Sequence, residues 1–288
     1  MINTPVKTSS LVLLVAAGFA ASAAAQGPVE KPTNDEIAKQ LANPNTPLAT
    51  LRMKNLYTFY AGDLPGAGSQ SNYSMLFQPS FPFPLGDDGS VMFWRPALPI
   101  LFEQPIFDPA NGGFKGKSGL GDIGMDLAYG KTSSSGLITA FGLVTTLPTA
   151  TNDLGLDQWL IGPEFLIGKL GENYVLGAFP SHQWAVAGED DYQTNFTTLQ
   201  FFATWLPGDG WAVGSAPIMK YDWVDEQWTI PLNLTVSKTA QFGKTPFKLD
   251  LTLDYYVERN DDFGQEWVVG FNVAPVVKNV LAGLFSKD

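Results

Sequence analysis

Apolar and polar positions alternate along most of this chain. Over 246–258, Phe247, Leu249, Leu251, Leu253, Tyr255 and Val257 share one side, and Lys248, Asp250, Thr252, Asp254, Tyr256 and Glu258 share the other. Period two is the signature of a β-strand with one apolar face, because successive side chains point to opposite faces. The pattern recurs over 228–237, where Trp228, Ile230, Leu232, Leu234 and Val236 oppose Thr229, Pro231, Asn233, Thr235 and Ser237. It returns over 122–129 and over 265–275, the latter with Trp267, Val269, Phe271 and Val273 on one side.

Read this way, the chain predicts about twelve strands, over 50–61, 70–81, 90–103, 119–130, 135–146, 157–168, 172–185, 192–206, 210–224, 227–238, 246–258 and 265–277. Most exceed the five or six residues usual in soluble sheets and match the length that crosses a bilayer. Phe247 and Tyr255 are eight residues apart, roughly 26 Å along a strand. A tilt of about 40° leaves roughly 20 Å of height, close to the apolar band between aromatic girdles. Short turns at 131–134, 169–171 and 207–209 alternate with longer loops at 62–69, 104–118, 147–156 and 259–264, as in barrels with short turns at one end. The 225–226 turn and the 239–245 segment depart from that rule. The expected fold class is all-β, an antiparallel transmembrane β-barrel of about twelve strands with a short N-terminal helical segment. Pro163, Pro180, Pro217, Pro231 and Pro275 fall inside strands, so each predicts a bulge or a break in pairing. A lateral gap in the wall that releases an apolar solute into lipid is the functional counterpart of such a break.

The flanks divide the chain further. Residues 1–25 read as a signal peptide: Lys7 supplies positive charge, Leu11 to Ala20 a short apolar run, and Ser22-Ala23-Ala24-Ala25 a cleavage site before Gln26. Residues 26–48 form a polar periplasmic leader or plug. Thr33 and Glu36 make a capping box for a helix to about Leu41, and Pro44 and Pro47 stop it. The barrel occupies 49–277 and a tail 278–288.

Composition narrows the function. A net charge of −11 argues against nucleic acid, whose phosphates need Lys and Arg. There is no cysteine and a single histidine, His182, so thiolate and poly-histidine metal sites are excluded and no cofactor is expected. The expected partners are outer-membrane lipid and a small-molecule solute.

The candidate lumen-lining residues are the acids on the polar faces: Asp122, Asp126, Glu164, Asp250, Asp254 and Glu258. They describe either a salt-bridged interior, with Lys248 and Lys220 as partners, or a carboxylate-lined pore favouring cations. His182 invites comparison with Ser-His lipid hydrolases of the outer membrane. However, nucleophilic catalysis needs a serine within reach, and Ser181 lies on the opposite face of the strand. The clusters Trp223/Trp228 and Trp205/Trp211 suit interfacial girdles. Gly112-Gly113-Phe114-Lys115-Gly116-Lys117 lacks the context of a phosphate loop and reads as a loop.

His182-Gln183-Trp184, Asn195 through Gln200 to Trp205, Leu206-Pro207-Gly208-Asp209-Gly210-Trp211, Ser215-Ala216-Pro217, Tyr221-Asp222-Trp223, Trp228-Thr229-Ile230-Pro231-Leu232, Phe242-Gly243-Lys244-Thr245-Pro246, Asp254-Tyr255-Tyr256 and Gln265-Glu266-Trp267 follow one another in order. In this the sequence resembles a bacterial family of outer-membrane transporters often mislabelled neuromedin U, similar to barrels encoded beside meta-pathway phenol-degradation genes. The resemblance spans roughly 119–277, more loosely 50–118. It implies a twelve-stranded barrel and a channel of unassigned substrate, and supplies no catalytic residue. One departure is the end of the chain, where Phe285 is followed by Ser286-Lys287-Asp288 rather than closing the sequence.

The sequence thus points to an outer-membrane channel for a small solute, aromatic or apolar compounds among the candidates, and not to an enzyme. The alternatives are an outer-membrane enzyme acting on lipid, or a soluble secreted β-rich ligand-binding protein.

Overall fold

A computed structural model describes residues 31–86, 88–188 and 193–282, and everything below belongs to the unit that starts at Thr33. The expected signal peptide and its cleavage site, like Phe285, lie outside the described residues.

The alternating segments form strands β1 (Ala49–Ala61), β2 (Ser71–Pro84), β3 (Ser90–Asp108), β4 (Gly113–Leu120), β5 (Ile123–Thr132), β6 (Leu137–Leu147) and β7 (Gln158–Leu170). They continue with β8 (Tyr174–Gly188), β9 (Asn195–Gly208), β10 (Trp211–Ser215), β11 (Ile218–Asp222), β12 (Gln227–Phe242), β13 (Thr245–Glu258) and β14 (Gly264–Val277). Neighbours pair antiparallel around a ring that β1 and β14 close, Tyr57 facing Val269. Two wall positions are each built from two strands. β4 and β5 both pair β3, on either side of a break at Gly121 and Asp122. β10 and β11 both pair β9 and β12, on either side of Ala216 and Pro217. The result is a closed barrel of twelve wall positions. Closure joins the first strand of the ring to the last, which is what lets a sheet cross a bilayer; β4, paired with β3 alone, keeps one edge outside the ring's pairing.

The face assignment follows the sequence period. One row crosses six strands through directly opposed residues: Leu234, Leu253, Val269, Tyr57, Tyr73 and Phe102. Every member is an exposed large hydrophobic. The neighbouring row, one residue along, runs Asn233, Asp254, Val268, Thr58 and Asn72, and its last three members are buried. Leu251 is 61% exposed, whereas adjacent Asp250 is 5% exposed. An apolar outer belt around a polar inner face is the arrangement lipid demands.

Two expectations need correction. The segment 104–118 is not a loop: β3 and β4 extend as a hairpin through Phe107 opposite Phe114. The long 239–245 connection is a two-residue turn, because β12 runs to Phe242 and β13 starts at Thr245. The prolines mark breaks in pairing, as expected. Pro217 lies in the β10/β11 interruption and Pro231 at a register shift; Pro163, Pro180 and Pro275 are paired on one side, with Leu143, Leu199 and Phe247, but drop out of the ladder on the other side, toward β8, β7 and β1. A missing N–H removes a ladder bond on one side only, and the pairs above and below the gap keep the register.

The N-terminal helix α1 (Asn34–Ala42) carries the expected capping box, Thr33 Oγ1 accepting from the Glu36 N–H and Glu36 accepting from the Thr33 N–H. It sits at the end of the barrel that holds the short turns, called the near end below.

Candidate functional site

The interior is built from inward residues of opposite charge. Arg95 on β3 faces Asp126 on β5 directly, Nε to Oδ2 3.4 Å. Glu164, 1% exposed, points inward from β7 and shares a cavity of about 10 Å³ with Arg95, Phe93, Leu166, Pro44 and Asn45. Among the described residues its Oε1 has no hydrogen-bond partner, so the nearby guanidinium is its main compensation. Across the lumen Lys248 pairs with Asp250 at 3.4 Å. Lys54 lies within electrostatic reach of both Asp250 and Asp126, and of Arg52 and Arg95. Asp254 accepts from Asn233 Nδ2 at 2.7 Å.

The structure therefore brings Asp126, Glu164, Asp250 and Asp254 inside and separates the other two acids. Asp122 sits at the β4/β5 break and holds a loop: its carboxylate accepts from the N–H groups of Thr149, Ala150 and Leu156. Glu258 lies at the far rim, beside a surface cleft of about 350 Å³ with Asp63, Arg259 and Asp261. Lys248 meets its expected role. Lys220 instead pairs with Asp222 at 3.1 Å and lies over Phe196. Arg52, Lys54 and Arg95 were missed by sequence reasoning centred on acids. Their signal was present, since Arg52 and Lys54 share parity with Thr50 and Thr58.

The near end is filled. Ile138, Leu166 and Val175, inward from β6, β7 and β8, form a buried cluster that Ala42, Phe179 and Phe202 pack against. Residues 33–45 lie across this end. On one side α1 contacts β9, β10, β12 and β13, with Asp35 accepting from the Gly210 N–H. On the other, Asn43 donates to Thr132 Oγ1 and Asn45 donates to the Thr139 carbonyl. The wall accepts this approach because position 130 is glycine: a Cβ there would collide with the Asn45 side chain.

The wall also has a seam. Within the β10/β11 position, Ser215 to Met219 have no ladder partner on β12, although Gly214 faces Thr235 and Lys220 faces Thr229 in one common register. Asn233 bridges the interval with its side chain, Oδ1 accepting from the Ala216 N–H at 2.8 Å. Gln200 Nε2 donates to the Ala216 carbonyl. Ile218 and Leu232 are exposed beside it.

His182 projects outward. Its Nδ1 is 2.8 Å from Thr197 Oγ1, which also accepts from Trp223 Nε1. Ser181 bonds to Thr198 on the opposite face, so Ser181 and His182 do not meet.

A closed, lipid-belted barrel of twelve wall positions with a charged interior is the architecture of transmembrane β-barrels of the outer-membrane type. Solved structures agree on the fold. An outer-membrane channel from Pseudomonas putida F1 superposes with a TM-score of 0.62 at 14% identity, over 80% of this chain and 95% of that one. The NanC porin superposes with a TM-score of 0.51 at 9% identity, over 79% and 99%. No family model and no curated protein matches the sequence.

Proposed function

We propose that this chain is an outer-membrane channel for a small solute, held closed in this conformation by residues 33–45. The near end is then periplasmic and the far end extracellular. The observation that carries the reading is the N-terminal segment touching opposite walls of the barrel from inside. A structural leader would have no reason to cross the lumen. Arg52, Lys54, Arg95 and Lys248 offset the inward carboxylates, so the lining carries both signs rather than a carboxylate ring. A wide ion pore with strong cation preference is not the expected product of such a lining.

Planar-bilayer recording tests this. The intact protein should conduct weakly and with little charge preference, and deletion of residues 33–45 should raise conductance at least tenfold. Changing Asp126, Glu164, Asp250 and Asp254 to their amides in the deleted form should leave the bases unopposed and give anion preference, strongest at low salt. A deleted barrel that inserts, folds and stays silent would refute axial passage.

The seam favours a second reading, in which an apolar solute enters from the far end and leaves through the wall between β11 and β12. Its support is that the near end is packed while Ser215 to Met219 lack backbone pairing to β12.

A further inference from the structure

Rings from separate wall segments meet at the far end. Phe263, in the β13–β14 loop, stacks on Tyr60 at the end of β1, ring centroids 4.6 Å apart and planes 16° from parallel. The same ring lies 4.6 Å from Phe114 of β4, which in turn lies edge-on to Phe107 of β3 at 5.2 Å. Phe263 is thus held between two aromatic rings that its own strands do not supply.

The three rings differ in how they are fixed. Tyr60 is buried, and its hydroxyl bonds to Asn72 Oδ1 at 3.1 Å and to Gln104 Nε2 at 3.1 Å. Phe114 sits in a paired hairpin. Phe263 belongs to a short loop whose Asp261 and Asp262 are exposed. Backbone bonds from Asp63 to Asp261 (2.8 Å) and from Leu64 to Asp262 (3.1 Å) tie that loop to the β1–β2 loop. Gly62 permits this contact: its φ is +148°, and a Cβ there would strike the Asp262 carbonyl. The outer rings are therefore part of the scaffold, and the middle one is carried by a loop clipped down by two backbone bonds.

We propose that Phe263 is a displaceable occupant of an aromatic subsite at the mouth, and that a monocyclic aromatic solute binds between Tyr60 and Phe114 when the 259–263 loop lifts. Displacement leaves the volume of the Phe263 ring open to Tyr60, whose plane lies 16° from that ring, and to Phe114, tilted 41° from it. Such aromatic faces favour a planar ring over an aliphatic chain of equal size, because stacking adds to area burial. Tyr60 is fixed by two hydrogen bonds and Phe114 by pairing with β3, so both partner rings are in place before an incoming ring arrives. The purpose of the subsite rests on the channel reading, but its occupancy does not require conduction.

The test is equilibrium dialysis of radiolabelled phenol against the full barrel in lipid nanodiscs, with conductance recorded separately. Correct folding is checked by the gel shift on heating. Wild type should bind weakly, because Phe263 competes. Phe263→Ala should bind at least tenfold more tightly, and Phe263→Ala combined with Phe114→Leu should fall to the level of empty nanodiscs. The chain has no cysteine, so Leu64→Cys with Asp262→Cys can clip the loop by a disulfide. The oxidised form should lose the wild-type binding and reductant should restore it. Equal phenol binding by wild type and Phe263→Ala overturns the proposal, as does binding that survives the Phe114 change or is indifferent to the disulfide. Silence in the bilayer with these binding results intact would count against the channel and not against the subsite.

Discussion

Arg95 and Asp126 stand directly opposite each other across β3 and β5, with Nε and Oδ2 3.4 Å apart. This pair ties two wall strands together from inside and places a guanidinium in the cavity that Glu164 faces. Arg95→Met should therefore destabilise the barrel by about 3–5 kcal/mol, the range for breaking an enclosed pair and leaving carboxylates uncompensated. Adding Asp126→Asn and Glu164→Gln should recover most of the loss. Urea unfolding in lipid vesicles reads both steps, and a triple variant as weak as the single one would show that Arg95 acts through packing on Phe93 and Phe179 instead.

Leu251 projects into the outer belt and Ser74 faces inward, opposite Leu56 of β1 and Leu101 of β3. Leu251→Arg should cost about 2–4 kcal/mol if it sits near the bilayer midplane, and Ser74→Arg much less. The same vesicle unfolding measures both. Equal losses would mean that the belt has been placed on the wrong face.

The seam should loosen when its bridge is removed. Asn233→Ala deletes the acceptor for the Ala216 N–H and the donor to Asp254. Hydrogen exchange at Ala216 should then accelerate at least tenfold while exchange at Leu234, paired to Leu253, stays unchanged. Uniform acceleration across β12 would indicate global destabilisation rather than a local gate.

At the near end, outside the membrane-spanning part, Asp88 accepts from Lys131 Nζ at 2.7 Å and from the Ser90 N–H. The lysine and then the Ser90 contacts hold its carboxyl down at about 2. A depressed acid stabilises the fold above its ordinary pKa and loses that contribution as pH falls toward 2. Carboxyl NMR should show a midpoint well below the usual aspartate range, and Lys131→Met should move it back up. An unchanged midpoint in the variant would remove Lys131 as the main cause.

Much of this molecule is legible in its sequence. Where lipid lies outside and a polar interior inside, a wall strand shows period two, so Leu249 to Val257 and Trp228 to Val236 declare both strand and face with no tertiary information, whereas strands such as β7, apolar on both faces, do not. The capping box at Thr33 and Glu36 is equally local, because its bonds span three residues. What depends on distance along the chain could not be read this way. That Arg95 opposes Asp126, that Lys54 lies near Asp250, and that Asp122 holds the 147–156 loop are consequences of register and ring closure, which join residues tens to hundreds of positions apart. The β3–β4 hairpin was hidden because Gly112 to Lys117 has loop composition, and only pairing with β3 makes it a strand. The prolines marked places where pairing fails but not the form of the failure, since Pro163 and Pro231 look alike in sequence. The register survives the gap at Pro163 and shifts at Pro231. The alternation of residues determined a membrane barrel and its two faces; register decided that Arg95 meets Asp126, and closure that Lys54 lies beside Asp250, because only closure brings the first strand beside the last.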